Sequence, residues 1–232
     1  MALDIKERIA KQRLGVSVIV PLLLVFLIWL LHFVAWSTEG ESLFWLGIYP
    51  RTMAGLTGVL LSPVLHSGWE HALSNTVVLL LFGIALFYFY PRESWRVFIL
   101  GWVVSGLLTW MFGRSAYHIG ASGLIYALGA FLFFRGWRVR RRGLAALSLV
   151  LTFLYGSMFW GIFPADLTIS WEGHLAGALV GVSLAYLLPI YEGVGGEAFG
   201  SEAAFDYSTV SHTGLRAWRL RYNVLRGGGY GL

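Results

Sequence analysis

The sequence predicts an all-α polytopic membrane protein, a bundle of six transmembrane helices, and three observations predict it. The first is composition. Of 232 residues, 57% are hydrophobic and 12% are charged, about half the ~25% charge of a soluble domain. So few charges cannot cover a water-facing surface, which excludes a soluble enzyme, a coiled coil and a disordered chain. The second is the spacing of the charges, which leaves long charge-free windows at 14–38, 71–91, 97–113, 115–134, 143–165 and 173–191. A bilayer crossing needs roughly 17–25 apolar residues, and each window supplies them. The third is the sign of the flanks. With the N-terminus inside, 15 Lys and Arg fall in cytoplasmic segments and only Arg51 and Arg114 fall outside, as the positive-inside rule requires.

The elements follow in order. Residues 1–13 are a basic cytoplasmic N-terminus. The first window is too long for a cleavable signal and lacks a small-x-small cleavage site, so it reads as a signal anchor. A seventh window, 52–69, is long enough but carries Ser62-Pro63 and ends in His66-Ser67-Gly68. Counting it as a span would move Arg92, Arg96 and the Arg135–Arg142 cluster outside, so it reads as a half-buried loop or interfacial helix. The six windows make one membrane domain, 14–191. The tail, 192–232, opens on Gly193-Val194-Gly195-Gly196 and holds four arginines. It reads as a flexible cytoplasmic tail with at most a short basic amphipathic piece.

The remaining composition bounds the chemistry. There are no cysteines, hence no disulfide, thiolate ligand or cysteine nucleophile. The 29 glycines show no triplet period and suit close helix packing. The net charge of +5 is read as facing anionic lipid and setting topology, so no nucleic-acid partner is expected.

Polar groups at membrane depth are costly and point to function. At the start of the second span stands His66-Ser-Gly-Trp-Glu-His71-Ala-Leu-Ser-Asn75. His71 and Asn75 are four apart and share a helix face, where both can donate hydrogen bonds; helix-packing glue is the alternative use of such groups. The fourth span opens on Gly120-Ala121-Ser122-Gly123, a turn that can expose a serine hydroxyl and free N–H groups. Ordinary serine capping with glycine packing would leave the same trace. The sixth span begins with His174, and Gly177, Ala178, Gly181 and Ala185 follow on the same face. That stripe permits close helix approach, and a histidine heading it can also serve a loop.

Together these segments say more. Windows two, four and six all run from outside to inside, so His71, Asn75, Ser122 and His174 come out at one depth on one side. A nucleophile, a base and two oxyanion donors are what acyl transfer requires. Tyr126, one turn after Ser122, faces the same way and is placed to pack on an imidazole.

The order H-x4-H-x3-N, then G-x-S-G-x-x-Y, then G-H-x-A-G-x-x-x-G on spans two, four and six resembles the rhomboid intramembrane serine proteases, over about residues 14–191. The resemblance implies a rhomboid-like bundle with Ser122 as nucleophile and His174 as general base. It further implies an oxyanion hole from His71, Asn75 and the Ser122 N–H at the Gly120 turn, and Tyr126 stacked on His174. The segment 39–70 resembles the family's first loop. The implied activity is cleavage of transmembrane protein substrates near the outer membrane face, with no metal and no cofactor, in the lipid bilayer of a prokaryotic cell membrane, both termini cytoplasmic.

Two departures stand out. Tyr49-Pro50-Arg51 replaces the Trp-Arg common in that loop, and no acidic residue follows Gly83; both features are usually structural in the family. Other ionisable groups have plainer readings. Glu172 is two residues from His174 and points elsewhere in a helix. Asp166 and Glu70 read as solvated loop charges, His32 and His118 as interfacial, His66 as ordering the loop, and Trp29, Trp36, Trp95 and Trp110 as interface anchors.

Competing readings are weaker. A glutamate-dependent membrane protease needs a Glu-Glu-x-x-x-Arg element that is absent. A zinc enzyme lacks His-Glu-x-x-His and any carboxylate at supporting spacing. A rhomboid-like fold that binds or escorts transmembrane helices without cutting them is the remaining alternative.

Overall fold

The computed structural model describes residues 2–37, 43–140, 143, 146, 149, 160–164 and 168–190, with the side chains of residues 2–10 outside the description. Most of the expected fifth span and the whole expected tail lie outside the described residues. Among the described residues the structure is helical, with no strand and a single isolated bridge between Ile48 and His118.

Helix α1 spans Ala2–Ser37, 36 residues. At about 1.5 Å per residue it is ~54 Å long, well beyond a ~30 Å hydrocarbon core. It therefore continues the first expected span back through the basic segment. After a 3-10 turn at Leu43–Leu46, two single-turn helices follow, α2 (Met53–Leu56) and α3 (Gly58–Leu61), then a second 3-10 turn at Ser62–Val64. The 52–69 window is thus broken into short pieces, with Pro63 in the last, and does not form a span. Helix α4 (Trp69–Phe89), α5 (Ser94–Phe112), α6 (Ser122–Arg138) and α7 (Trp171–Leu187) correspond to the second, third, fourth and sixth windows. Helices α1, α4 and α5 are each long and apolar enough to cross a membrane.

Helix α6 is central and packs on α4, α5 and α7. Its Ala127, Leu128, Phe131 and Leu132 are almost fully buried. Helix α1 lies at the edge on α4, exposing Leu23, Phe26 and Leu30. Such a face is stable against lipid tails, which are as apolar as the side chains. Pro21 of α1 rests where a side chain on Gly83 of α4 would sit, 2.7 Å from its Cβ position. The α6–α7 contact is closer still. A Cβ at Gly177 would fall on the carbonyl oxygen of Gly123, and one at Gly181 on that of Ala127. The small-residue stripe of α7 therefore lies directly on the α6 backbone.

The 43–65 segment is pinned to the bundle by polar contacts. Trp102 Nε1 donates to the Val59 carbonyl at 3.1 Å and Trp110 Nε1 to the Thr52 carbonyl at 2.8 Å. Arg51, at φ +59°, donates to the carbonyls of Met111 and Gly113 at 3.3 and 2.8 Å. These are end carbonyls of α5, where a cation also meets the negative pole of the helix. In place of Trp-Arg, this chain thus uses Arg51 as a helix cap.

At the far end of α6, Arg135 is 1% exposed. It donates to the carbonyls of Ala185 and Leu188 at 3.1 and 2.9 Å, to that of Pro189, and to Glu93 at 3.0 Å. One guanidinium thus closes the C-terminus of α7 and pairs with a buried acid ten positions beyond Gly83. A buried charge is tolerated only when paired and hydrogen-bonded in this way.

Candidate functional site

The N-terminal ends of α4, α6 and α7 surround a cavity of about 700 Å³ lined by His71, Asn75, Ser122, Tyr126 and His174 among others. Ser122 is the first residue of α6, so its backbone N–H has no acceptor within the helix. Gly120 stands two residues earlier at φ +107°, a conformation open to glycine and strained for other residues. Its N–H is held by the Ser62 carbonyl at 2.8 Å.

His174 Nε2 lies 2.8 Å from Ser122 Oγ, and His174 Nδ1 lies 2.9 Å from the Gly161 carbonyl oxygen. A carbonyl only accepts, so Nδ1 carries the proton and Nε2 presents its lone pair. The Ser122 hydroxyl then donates to Nε2. The Tyr126 ring stacks on the imidazole at 4.3 Å between centroids and 12° between planes. The close fit of Gly177 under Gly123 brings α7 near enough for this bond. The sequence offered only Tyr126 and packing to orient His174. The Gly161 carbonyl does so as well, and a backbone acceptor leaves no trace in the pattern of side chains.

His71 and Asn75 converge on the Gly120 turn. A Cβ on Gly120 would sit 2.8 Å from His71 Nε2 and 3.4 Å from Asn75 Nδ2, so only a glycine leaves that space open. Ser67 Oγ lies 3.1 Å from His71 Nδ1. With the hydroxyl donating there, His71 carries its proton on Nε2, toward the turn.

His66 has more to do than order the loop. Asn75 Nδ2 donates to its Nε2 at 2.9 Å, and the Ala121 N–H is 3.5 Å from the same atom. His66 thus touches the first loop, α4 and the turn before α6 together. Burial, with His71 and His32 nearby, lowers its pKa to about 3, so it accepts as a neutral ring. His118 is 3% exposed rather than interfacial. Its Nε2 donates to the Arg114 carbonyl at 3.1 Å, so its Nδ1 accepts from the Ser170 hydroxyl at 2.6 Å. Glu172 pairs with Arg114 at 2.9 Å, turned from His174. Together these contacts clamp the start of α7 to the loop before α6.

Residues 53–190 match the family model of the Rhomboid domain. The chain belongs to the rhomboid family. It is 36% identical over 184 residues, 75% of either chain, to uncharacterized proteins of Mycobacterium tuberculosis and of Mycobacterium bovis. It is 37% identical over 142 residues to an uncharacterized protein of Mycobacterium leprae, covering 57% of this chain and 56% of that one. Membership makes it an integral membrane protein of rhomboid-like, all-α architecture. His66 and each polar residue named above as lining the cavity, from His71 to His174, fall within the matched span.

Proposed function

We propose that this rhomboid is an intramembrane serine endopeptidase that cuts transmembrane substrates near the outer face of a prokaryotic cell membrane. The observation that carries the reading is the Ser122–His174 hydrogen bond at 2.8 Å with Nδ1 held by Gly161. That tautomer is the one a general base requires.

In the mechanism, Ser122 Oγ attacks a substrate carbonyl while its proton passes to His174 Nε2. The oxyanion forms against His71 Nε2–H, the second Asn75 amide proton and the Ser122 backbone N–H. His174 then gives its proton to the departing amine, and an acyl-serine remains. A water molecule, losing its proton to His174, attacks the acyl carbon and frees Ser122. A helix in lipid has its backbone bonds satisfied internally. The substrate must unwind locally first, which favours helix-destabilising residues near the cut. The site residues require no metal in any step.

The 15 to 2 division of Lys and Arg supports an orientation with the cavity end outside and both termini inside. The bacterial relatives support a prokaryotic membrane. The test is labelling of the purified protein with a fluorophosphonate or isocoumarin, alongside cleavage of a model transmembrane substrate. Labelling and cleavage that vanish in Ser122→Ala support the protease. The rhomboid family also has inactive members, and substrate binding with neither labelling nor cleavage would assign this chain to them.

A further inference from the structure

We propose that Glu70 makes the site selective for substrates with a basic residue beside the scissile bond on its outer side; this rests on the protease reading above. Glu70 lines the same cavity as Ser122 and His174. It stands in the first turn of α4, and the lining face of that helix continues through His71, Ser74, Asn75 and Val78. At about 1.5 Å of rise per residue, Glu70 is ~12 Å along the axis from Val78, at the mouth of the cavity.

Its carboxylate has no hydrogen-bonding or ionic partner among the described residues. The other described charge on the cavity wall is Arg114. That guanidinium is answered by both oxygens of Glu172, at 3.1 and 2.9 Å, and by the Ile169 carbonyl at 2.9 Å. The described wall thus presents one unanswered negative charge to whatever enters. Placement in a first helical turn explains why an acid is tolerated there. It does not explain why that acid faces the cavity.

A Lys or Arg at this level of a bound chain gains an ion pair, and an Asp or Glu meets like charge. Outer flanks of membrane helices are poor in Lys and Arg, so such a preference singles out a minority of membrane proteins. For a partly exposed pair the combined gain and penalty correspond to a ratio of about 5- to 20-fold between basic and acidic substrates.

The test uses three transmembrane peptides that differ only in Lys, Gln or Glu on the outer side of a helix-destabilising stretch. Two ratios are read in detergent micelles, Kd on Ser122→Ala protein and kcat/KM on protein with Ser122 intact. The Lys peptide is expected to surpass the Glu peptide by about 5- to 20-fold at low salt, with the gap closing near 1 M as the Debye length falls to ~3 Å. Glu70→Gln, the shape-conserving change, should bring the ratio below about 2, and Glu70→Lys should invert it. Ratios within one protein cancel any loss of folded fraction. Equal binding of all three peptides, or an unchanged ratio in Glu70→Gln, overturns the inference. Charge-dependent binding without cleavage by any protein supports selection by Glu70 and instead sinks the protease reading.

Discussion

Asn75 donates through Nδ2 to Nε2 of His66 at 2.9 Å, and this bond decides which way the amide faces. With one N–H committed to the first loop, the other is left for the cavity. If that proton helps hold an oxyanion, Asn75→Ala should lower kcat by about 10²–10³. His66→Ala frees the amide to rotate and should cost less, about 10-fold, equivalent to ~1.4 kcal/mol. The double variant should be no slower than Asn75→Ala alone, because His66 acts through Asn75. Measured kcat values for the four proteins check this. Losses that multiply would give His66 a separate role.

Acid should loosen the same junction. His66 has its pKa lowered from 6.5 to about 3, chiefly by burial and then by His71 and His32. The unfolded chain takes up its proton near pH 6.5, and the folded protein does not until far lower. The contribution to stability is therefore complete above about pH 6.5 and falls away as pH drops from there toward about 3. Melting temperature in detergent should fall over that window, and less steeply in His66→Gln, which has no proton to take up. Parallel pH profiles for the two proteins would remove His66 from the account.

The α6–α7 contact should tolerate no side chain. A Cβ at Gly177 would overlap the Gly123 carbonyl oxygen and one at Gly181 that of Ala127, so α7 must move outward. Overpacking of this kind costs about 1–3 kcal/mol or more, and it also draws His174 from Ser122. Gly177→Val should lower both melting temperature and cleavage. By contrast Gly15 has nothing within 4 Å of its Cβ position, and Gly15→Ala should leave both unchanged.

The opposite end of the bundle depends on Arg135. Replacing it with Met would strip the carbonyls of Leu188 and Pro189 of their donor, leave that of Ala185 to Arg138 alone, and leave Glu93, 6% exposed, without its cation. Breaking a buried pair from one side costs about 3–5 kcal/mol. Arg135→Lys should rescue little, because an ammonium cannot reach several acceptors in a fixed fork. The double change Arg135→Met with Glu93→Gln should recover part of the loss. Thermal melts of the three variants decide it.

What was legible in the sequence was whatever charge and side-chain identity encode. The gaps between charges locate α1, α4, α5, α6 and α7, because a membrane span must exclude charge. The Lys and Arg split rejects 52–69 as a span, and the structure breaks it at α2, α3 and Pro63. The stripe headed by His174 reports the tight α6–α7 contact, because only small residues permit it. Contacts to the backbone were not legible. The Gly161 carbonyl on His174, the α5 carbonyls on Arg51 and the α7 carbonyls on Arg135 involve an atom that every residue possesses. His118 escaped for a related reason: position near a span end suggests an interface, whereas it is buried against Ser170, 52 residues away. His66 does order the loop, as its place in the sequence suggests, but its bond to Asn75 was not legible there.

The division of labour between Ser122, His174 and Tyr126 is the sharpest test of the site. On the proposed mechanism, without Ser122 there is no nucleophile, and without His174 the hydroxyl at 2.8 Å keeps its proton and attacks poorly. Ser122→Ala and His174→Ala should each reduce cleavage below detection while the proteins still melt cooperatively. The double variant should be no worse, because the pair works as one unit. Tyr126 only holds the ring, stacked at 4.3 Å. Loss of such a contact, worth about 0.5–1.5 kcal/mol, predicts a fall of roughly 2- to 10-fold for Tyr126→Ala. Tyr126→Phe keeps the ring and should lose less. Gly161 holds Nδ1 through its backbone, so that restraint persists in every variant and sets a floor under the Tyr126→Ala rate. The measurement is initial rate on one transmembrane substrate, with and without EDTA. Full activity in Ser122→Ala, or loss in EDTA restored by zinc, would replace the serine mechanism with a metal-dependent one.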